Sequence, residues 1–430
     1  MKAHYISHIH IANLWGGDKP IAFDLHEDVN IIIGPNASGK TTIIYLLMFT
    51  LTGNVAKLID YQFDYIKVIL KAFDSGKELV VKVTKTKDEI RFEIAGKVFP
   101  FPQIAEMLRM RHGHFSNMPP EMLRRHFGSE LFQLKRQLEG LVPAAWLPVS
   151  RRLPISEDED ENERRRLRRG TLESVDECLA ELLEGLQRYR LSLDAQLAEL
   201  RKDFPKHALE NILYDKRHDR MIDLRSFKAP TQAEKQQLIK AFQDVGFDDT
   251  AMQLRVEEHF IAAQEAIEQL KNEPNTITTQ SVFIIPLIHR TKLMVEFAQD
   301  LETKRQTLFA PLLLFESTIC SFIENNTITV TPRGELSIKN DVNALKGIEW
   351  RHLSSGEKQL LILLIQALLW EKDPVVYVAD EPELSLHVTW QEKLLKSITA
   401  LAGQCQVIVA THSPDIAGGF PKRIIDLARI

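Results

Sequence analysis

Nine consecutive residues, Gly34-Pro35-Asn36-Ala37-Ser38-Gly39-Lys40-Thr41-Thr42, constrain this chain more than any others. They stand between an apolar run, Val29-Asn30-Ile31-Ile32-Ile33, and a second one, Ile43-Ile44-Tyr45-Leu46-Leu47-Met48, which reads as a helix. Strand, glycine-rich turn, Lys-Thr and helix form the context in which such a loop binds phosphate. Gly34 and Gly39 let the backbone curl so that successive N–H groups point inward at an anion. The helix beginning near Lys40 adds the positive end of its dipole. Lys40 is expected to neutralise the outer phosphates, and the Thr41 hydroxyl to ligate Mg²⁺.

Three later stretches read as the other half of such a site. Pro374-Val375-Val376-Tyr377-Val378-Ala379-Asp380-Glu381-Pro382 is a short apolar run ending in two acids. A buried strand with carboxylates at its C-terminal edge is where open α/β sheets place ligands. Beside a P-loop, Asp380 is expected to hold Mg²⁺ through water, and Glu381 to take a proton from the attacking water. Trp350-Arg351-His352-Leu353-Ser354-Ser355-Gly356-Glu357-Lys358-Gln359 precedes an apolar helix running to Trp370. Ser354 and Glu357 have the Ser-x-x-Glu spacing of a capping box. The same glycine-containing helix start, with its free N–H groups, is also a possible second phosphate site. Finally, Val407-Ile408-Val409-Ala410 reads as another buried strand, ending at Thr411-His412-Ser413-Pro414. A histidine at that edge is placed to hydrogen-bond a terminal phosphate or a water.

The rest of the chain frames these motifs. At 430 residues, two or three structural units are expected. Hydrophobic residues at 44% and charged residues at 26% are those of a globular protein, and a net charge of −5 argues against a surface built to coat nucleic acid. No apolar run approaches the ~18 residues of a membrane span, the N-terminus lacks a signal-peptide core, and Cys178, Cys320 and Cys405 have no metal-like spacing. A cytoplasmic location follows as the expectation, with no membrane association.

Strand patterns cover residues 4–12, 21–25, 65–70, 79–83 and 90–94, with hairpin turns at Asp74-Ser75-Gly76 and Lys87-Asp88. Residues 102–138 read as helical and locally basic, through Arg109, Arg111, Arg124, Arg125, Lys135 and Arg136. That texture fits a solvated helical face or, alternatively, nucleic-acid contact. The acidic block at 157–161 and the arginine block at 164–169 mark an exposed link. Leu172, Leu179, Leu186, Leu193 and Leu200 then repeat every seven residues, with Val175, Leu182 and Tyr189 between them and Gln196 as the polar exception. Such a seam predicts a coiled-coil arm about 50 Å long at about 1.5 Å per residue. Further apolar runs at Val256, Phe260, Ala263, Ile267 and Leu270, and at Leu308, Leu312, Phe315, Ile319 and Phe322, supply partner helices. Pro286 and Pro311 are expected to kink or delimit the last of them. A hairpin around Pro332-Arg333-Gly334 returns the chain to sheet.

Taken together and in this order, the motifs resemble an ABC-type ATPase head of the branch shared by SMC, Rad50, RecF and OLD proteins. Residues 34–42 resemble Walker A, 353–357 the signature loop, 376–381 Walker B, His412 the switch histidine and 383–387 the D-loop of the OLD-like subgroup. The fold this implies is α/β: a P-loop mixed sheet with an antiparallel β subdomain, interrupted by an all-helical coiled-coil insertion. The head would comprise residues 1–150 and 326–430, and the insertion 151–325. The implied ligands are ATP, on residues 34–42, and Mg²⁺, on Thr41 and Asp380. Glu381 and His412 would be catalytic, and Ser354, Ser355, Gly356 and Glu357 would complete the site of a second protomer. A homodimer or higher homo-oligomer through ATP-sandwiched heads follows.

Ser355 stands where transporter-type ATPases have glycine and Glu357 where they have glutamine, which points away from a transporter subunit. Gln62 is one candidate for the lateral glutamine of the Q-loop. The Trp-Leu-Pro-Val-Ser-Arg-Arg stretch at 146–152, similar to a segment of OLD-like ATPases, is another candidate for that region. OLD nucleases carry a Toprim domain after the ATPase, whereas this sequence ends at Ile430, 18 residues after His412. The layout therefore resembles stand-alone ATPase subunits of anti-phage systems, the PARIS type first and the Septu type second. The resemblance implies a switch ATPase acting on a separate effector, a Toprim-like or other nuclease. The alternative is a RecF- or Rad50-like repair ATPase that binds DNA.

Overall fold

The computed structural model describes residues 4–17, 19–102, 120–146, 174–210, 231–244, 250–272, 279–323, 326–340, 347–370 and 374–430. Arg109, Arg111, the segment 147–152, the charge blocks at 157–169 and Leu172 lie outside them. In chain order the elements begin with β1 (His4–Ala12), β2 (Ile21–Asp24), β3 (Val29–Ile33), α1 (Lys40–Leu51) and α2 (Val55–Leu58). Then follow β4 (Tyr65–Ala72), β5 (Glu78–Lys85), β6 (Glu89–Ile94), β7 (Lys97–Pro102), α3 (Pro120–Leu141) and β8 (Ala144–Trp146). Four long helices come next: α4 (Ser174–Glu210), α5 (Gln232–Asp244), α6 (Thr250–Asn272) and α7 (Thr279–Phe322). The chain closes with β9 (Asn326–Val330), β10 (Leu336–Asn340), β11 (Gly347–Ile348), α8 (Ser355–Leu369), β12 (Val375–Asp380), α9 (Val388–Leu401), β13 (Cys405–Ala410), α10 (Pro414–Gly418) and β14 (Ile424–Asp426). Two compact units result, one of Met1–Arg188 with Pro311–Ile430, the other of Tyr189–Ala310.

The first unit is α/β and holds a parallel sheet, of order β14-β3-β13-β12-β8. Every residue of β13 is buried, as are the first five of β12 and the first four of β3. A strand covered on both faces has no polar side, which is why these runs are apolar in sequence apart from Asn30 and Gln406. Their two polar members are fully satisfied. Asn30 turns its amide onto the His26 N–H (2.7 Å) and carbonyl (2.8 Å). Gln406, also buried, accepts from the Ile6 N–H at 2.8 Å and donates to the carbonyls of Ile6 (2.7 Å) and His26 (2.6 Å). This amide fastens β13 to β1, which belongs to the second sheet.

That second sheet is antiparallel, of order β2-β1-β4-β5-β6-β7. Alternation decides its faces: Ile9, Ile66, Val68, Val81, Val83, Ile90, Phe92, Phe99 and Phe101 point into the core while His10, Lys67, Lys82 and Glu93 point out. Burying each large apolar side chain contributes about 1.5–3 kcal/mol. The expected strands within 65–94 are present. The sequence pattern missed β7, whose Pro100 and Pro102 argue against a strand. They are tolerated because β7 is the edge of the sheet and needs no outward N–H. Its hairpin turns on Ala95 (φ 48°) and Gly96 (φ 83°), the left-handed pair that suits a two-residue loop.

The expected hairpin at Pro332-Arg333-Gly334 joins β9 and β10. Gly334 has φ 80°, and a Cβ there would lie 2.6 Å from the Gln187 Cα, so the hairpin tip rests on α4. Helix α8 is apolar all round, with residues 360–365 buried without exception, as suits a helix enclosed by sheet and helices. Lys358 of α8 pairs with Asp176 of α4 at 2.8 Å, both nearly covered. The heptad seam appears as buried Leu179 and Leu186 within this unit.

In the second unit, Leu193 and Leu197 of α4 are buried and Gln196 is exposed. The expected inward face of α6 is present, Val256 and Phe260 packing with Leu238, Met294, Val295, Ala298 and Leu301, and Ala263 and Ile267 with Ile288. The side chain of Leu270 lies outside the described residues. A polar hub sits beside this core. Glu302 accepts two hydrogen bonds from Arg305, each 2.8 Å, one from Gln306 at 3.1 Å and a 3.1 Å contact from Lys240. The Arg305 guanidinium holds the Glu302 carboxyl down at about 2. Neither Pro286 nor Pro311 delimits a helix: both lie inside α7. Buried Phe309, Leu312 and Phe315 flank Pro311, and their packing offsets the roughly 3 kcal/mol an internal proline costs. Among the described residues no helix is long and apolar enough to cross a membrane.

Candidate functional site

Strands β3, β13 and β12 are neighbours and parallel, so their C-terminal ends lie side by side, roughly 4.8 Å apart per step. Ile32 is level with Ala410, and Ala410 with Asp380. Three motifs distant in sequence thereby share one edge: the loop 34–42 after β3, residues 411–413 after β13, and Asp380-Glu381 at the end of β12.

The loop is built from forced backbone. Ala37 (φ 63°) and Gly39 (φ 92°) are left-handed, the Ser38 N–H donates to the Pro35 carbonyl at 3.2 Å, and a Cβ on Gly34 would fall 2.7 Å from the Ser38 Oγ. No side chain caps α1, so its first-turn N–H groups face into the loop. Lys40 is buried and its Nζ donates to the carbonyls of Gly34 (2.9 Å) and Pro35 (3.0 Å), which holds the ammonium inside the concavity. The ring of Trp15 lies against the outside of Gly39, whose Cβ would be 2.4 Å from Trp15 Cη2. Trp15 is itself left-handed (φ 57°) and half-exposed, its N–H donating to the Gln62 carbonyl at 3.1 Å. Gln62 thus supports the Trp15 turn from next to Gly16.

Across the edge, the Thr41 hydroxyl lies close enough to the Asp380 carboxylate to favour its charged form, and Asp380 Oδ1 is buried without a partner. Burial pushes the Asp380 carboxyl up, and the neighbouring Glu381 and Glu383 add to this against the Thr41 hydroxyl and the charge of Lys40. An orphaned carboxylate oxygen beside a hydroxyl, at the mouth of an anion-binding loop, fits a hard divalent cation. Glu381 has φ 50° immediately before the buried Pro382, a conformation costing about 1–3 kcal/mol that the surrounding structure must enforce. Its N–H donates to the Ala410 carbonyl at 2.7 Å, and its carboxylate lies 3.9 Å from His412 Nε2. Tyr45, one turn into α1, has its hydroxyl pushed up by burial and then by the charges of Asp380 and Glu381, and its ring lies 5.3 Å from that of Trp146. The stretch 144–146 is a strand, β8, pairing parallel with β12, so the chain leaves Trp146 at this same edge. The remainder of the 146–152 segment is outside the described residues.

Ser354 caps α8 with a full capping box, its Oγ donating to Glu357 Oε2 at 2.6 Å and accepting from the Glu357 N–H at 3.3 Å. Ser354 and Ser355 are exposed and Gly356 is buried. A Cβ on Gly356 would lie 2.5 Å from the carbonyl of Ser385, which is left-handed (φ 70°), so only glycine lets the 381–387 segment approach the helix start. Sequence reasoning missed Trp15 and Tyr45, and placed Glu383 in the D-loop resemblance without giving its side chain a role. Trp15 carried a signal, a large aromatic in a glycine turn that a tryptophan would not otherwise occupy. The other two are ordinary positions in a helix and a turn, and only the strand order reveals them.

The chain matches the family model described as "AAA ATPase domain" (AAA_15) over residues 5–417, and it belongs to that family. No curated protein matches it. Among solved structures it is similar to an Smc head domain with an extended coiled coil bound to the C-terminal domain of ScpA, from Pyrococcus furiosus. That likeness has 15% identity over 98% of this chain and 93% of that one, with a TM-score of 0.42. It is also similar to an SmcHead bound to the C-winged helix domain of ScpA, at 12% identity, 98% and 93% coverage and a TM-score of 0.41. A third is an Smc head domain with a coiled coil and joint from Pyrococcus yayanosii, at 17% identity, 98% and 95% coverage and a TM-score of 0.40.

Proposed function

We propose that this chain is an ABC-type switch ATPase that binds and hydrolyses ATP to control a separate effector protein, a nuclease in anti-phage defence. The observation that carries the ATPase part is the shared edge of β3, β13 and β12, which brings the loop 34–42, Asp380 with its orphaned Oδ1, and His412 together. In this reading residues 1–150 and 326–430 are the head and 151–325 the insertion.

Backbone N–H groups of residues 34–42 and the Lys40 ammonium bind the outer phosphates, which replace the Gly34 and Pro35 carbonyls as acceptors for Lys40. Thr41 and Asp380 hold Mg²⁺, which when bound neutralises phosphate charge. Glu381 accepts the proton of the attacking water, and His412 donates a hydrogen bond to the developing charge on the terminal phosphate. Ser354, Ser355, Gly356 and Glu357, at the exposed start of α8, close over the phosphates of a second copy, so that ATP joins two heads. The effector, the defence role and the homo-oligomer rest on the sequence resemblance, and a cytoplasmic location on the composition of the sequence.

Affinity purification of the tagged chain followed by ATPase assay with and without DNA tests this. The expected result is slow, Mg²⁺-dependent turnover and a co-purifying nuclease, with turnover independent of DNA. Salt-sensitive DNA binding with strong DNA stimulation, and no partner, would move the assignment to a repair ATPase.

A further inference from the structure

Glu383 lies two residues beyond Glu381 and has no part in the chemistry described so far. One of its oxygens, Oε1, gathers three donors from the segment after β13: the Thr411 hydroxyl, the His412 N–H at 3.0 Å and the Ser413 N–H at 3.2 Å. The clamped segment is otherwise tied down on its far side. The Ser413 hydroxyl donates to Gln391 Oε1 at 2.6 Å and caps α10. Gln391 in turn donates to the Leu386 carbonyl at 3.1 Å. The Glu383 main chain is equally fixed, lying in consecutive turns closed by Leu384 N–H to Glu381 carbonyl (3.1 Å) and Leu386 N–H to Glu383 carbonyl (2.9 Å).

The His412 imidazole is 43% exposed and meets Glu381 at 3.9 Å, beyond hydrogen-bond distance. Its placement therefore comes from its backbone, and the backbone N–H of His412 is held by Glu383. Hydrogen bonds to a carboxylate are roughly twice as strong as those between neutral groups, so three of them on one oxygen fix a short segment. Glu381 and Glu383 flank the buried Pro382, so one rigid turn carries both the carboxylate facing His412 and the carboxylate holding its main chain.

We propose that Glu383 is the positioning residue for His412, setting the imidazole against Glu381 by clamping residues 411–413 to the turn that follows β12. The inference rests on the assignment of Glu381 and His412 as the reacting pair.

The test compares Glu383→Ala and Glu383→Gln in the full chain by hydrogen exchange and by turnover, with Thr411→Val as a milder variant. Alanine removes the acceptor, so the His412 amide should exchange at least about tenfold faster, and the Ser413 amide, which keeps the Thr411 Oγ1 at 2.9 Å, less so, while peptides from residues 34–42 are unchanged. Glutamine keeps an acceptor oxygen for the same three donors and should restore protection and turnover to within about threefold of the parent. In Glu383→Ala, kcat should fall about 10–100-fold with nucleotide affinity unchanged, and Thr411→Val should lose a few-fold. In a His412→Ala background the Glu383→Ala change should cost nothing further. Unchanged protection of His412 in Glu383→Ala overturns the clamp. A loss that adds in full to that of His412→Ala, or that glutamine does not rescue, overturns the positioning role. A parent chain without ATPase activity overturns the assignment of the pair itself, which is a different result from an active parent that tolerates Glu383→Ala.

Discussion

The two large sheets of the first unit use the same apolar residues and do opposite things with them. In the parallel sheet both faces are covered, so polar side chains are pushed to the strand ends, and the ends of β3, β13 and β12 carry the loop, His412 and the acid pair. In the antiparallel sheet one face is open, and polar side chains such as Lys67, Lys82 and Glu93 spread along the strands with no convergence. Backbone strain follows the same division. Left-handed residues of the antiparallel sheet, Gly76, Ala95 and Gly96, close hairpins, while Asn13, Trp15 and Gly16 between β1 and β2 shape the turn that sets Trp15 against Gly39. Those of the parallel edge and its adjoining segment, Ala37, Gly39, Glu381 and Ser385, aim functional groups, and among them Glu381 is followed by a proline. Covering both faces of a sheet thus concentrates chemistry at one edge, and strained backbone marks where.

Substitutions should separate the two sheets sharply. At the parallel edge, Glu381→Gln removes the proposed proton acceptor without changing volume, and steady-state ATPase assays should show kcat falling about 10²–10⁴-fold with ATP still bound. Lys40→Ala should cost roughly 3 kcal/mol of nucleotide binding, a loss near a hundredfold measurable by calorimetry, since the charge-assisted contacts disappear together. At the junction of the sheets, Gln406→Leu removes the side-chain partners of the Ile6 N–H and carbonyl while the His26 carbonyl keeps Asn30, and the melting profile should report a loss of about 2–3 kcal/mol. On the outer face of the antiparallel sheet, Lys82→Ala loses only a cation–π contact with Tyr65 at 5.4 Å, and both stability and turnover should stay within about 0.5 kcal/mol of the parent. A large effect of Lys82→Ala on turnover would break the division between a chemical edge and an inert sheet.

Much of this architecture was legible in the residues. The loop at 34–42, the buried runs ending at Asp380 and Ala410, and the capping box at Ser354 are each set by local chemistry, and local chemistry survives folding. Four heptads announced α4, because a stripe at that period has to be covered. What escaped was set by neighbours. Two prolines concealed β7, which tolerates them only as the last strand of its sheet. Pro311 suggested a kink or a helix boundary, and the boundary is absent because the buried residues on either side carry α7 through it. Glu383 is one acid among several after β12, and its grip on His412 depends on β13 lying next to β12, which no spacing within either segment reveals.

The central claim, that the edge site is completed by a second copy of the chain, is tested most directly by the mass of Glu381→Gln in solution with and without ATP and Mg²⁺. A chain of 49.3 kDa that hydrolyses too slowly to release its partner should gain the mass of a second head pair member when ATP is added and lose it when ATP is withdrawn. A mass indifferent to ATP, in a variant shown to bind it, would contradict the account.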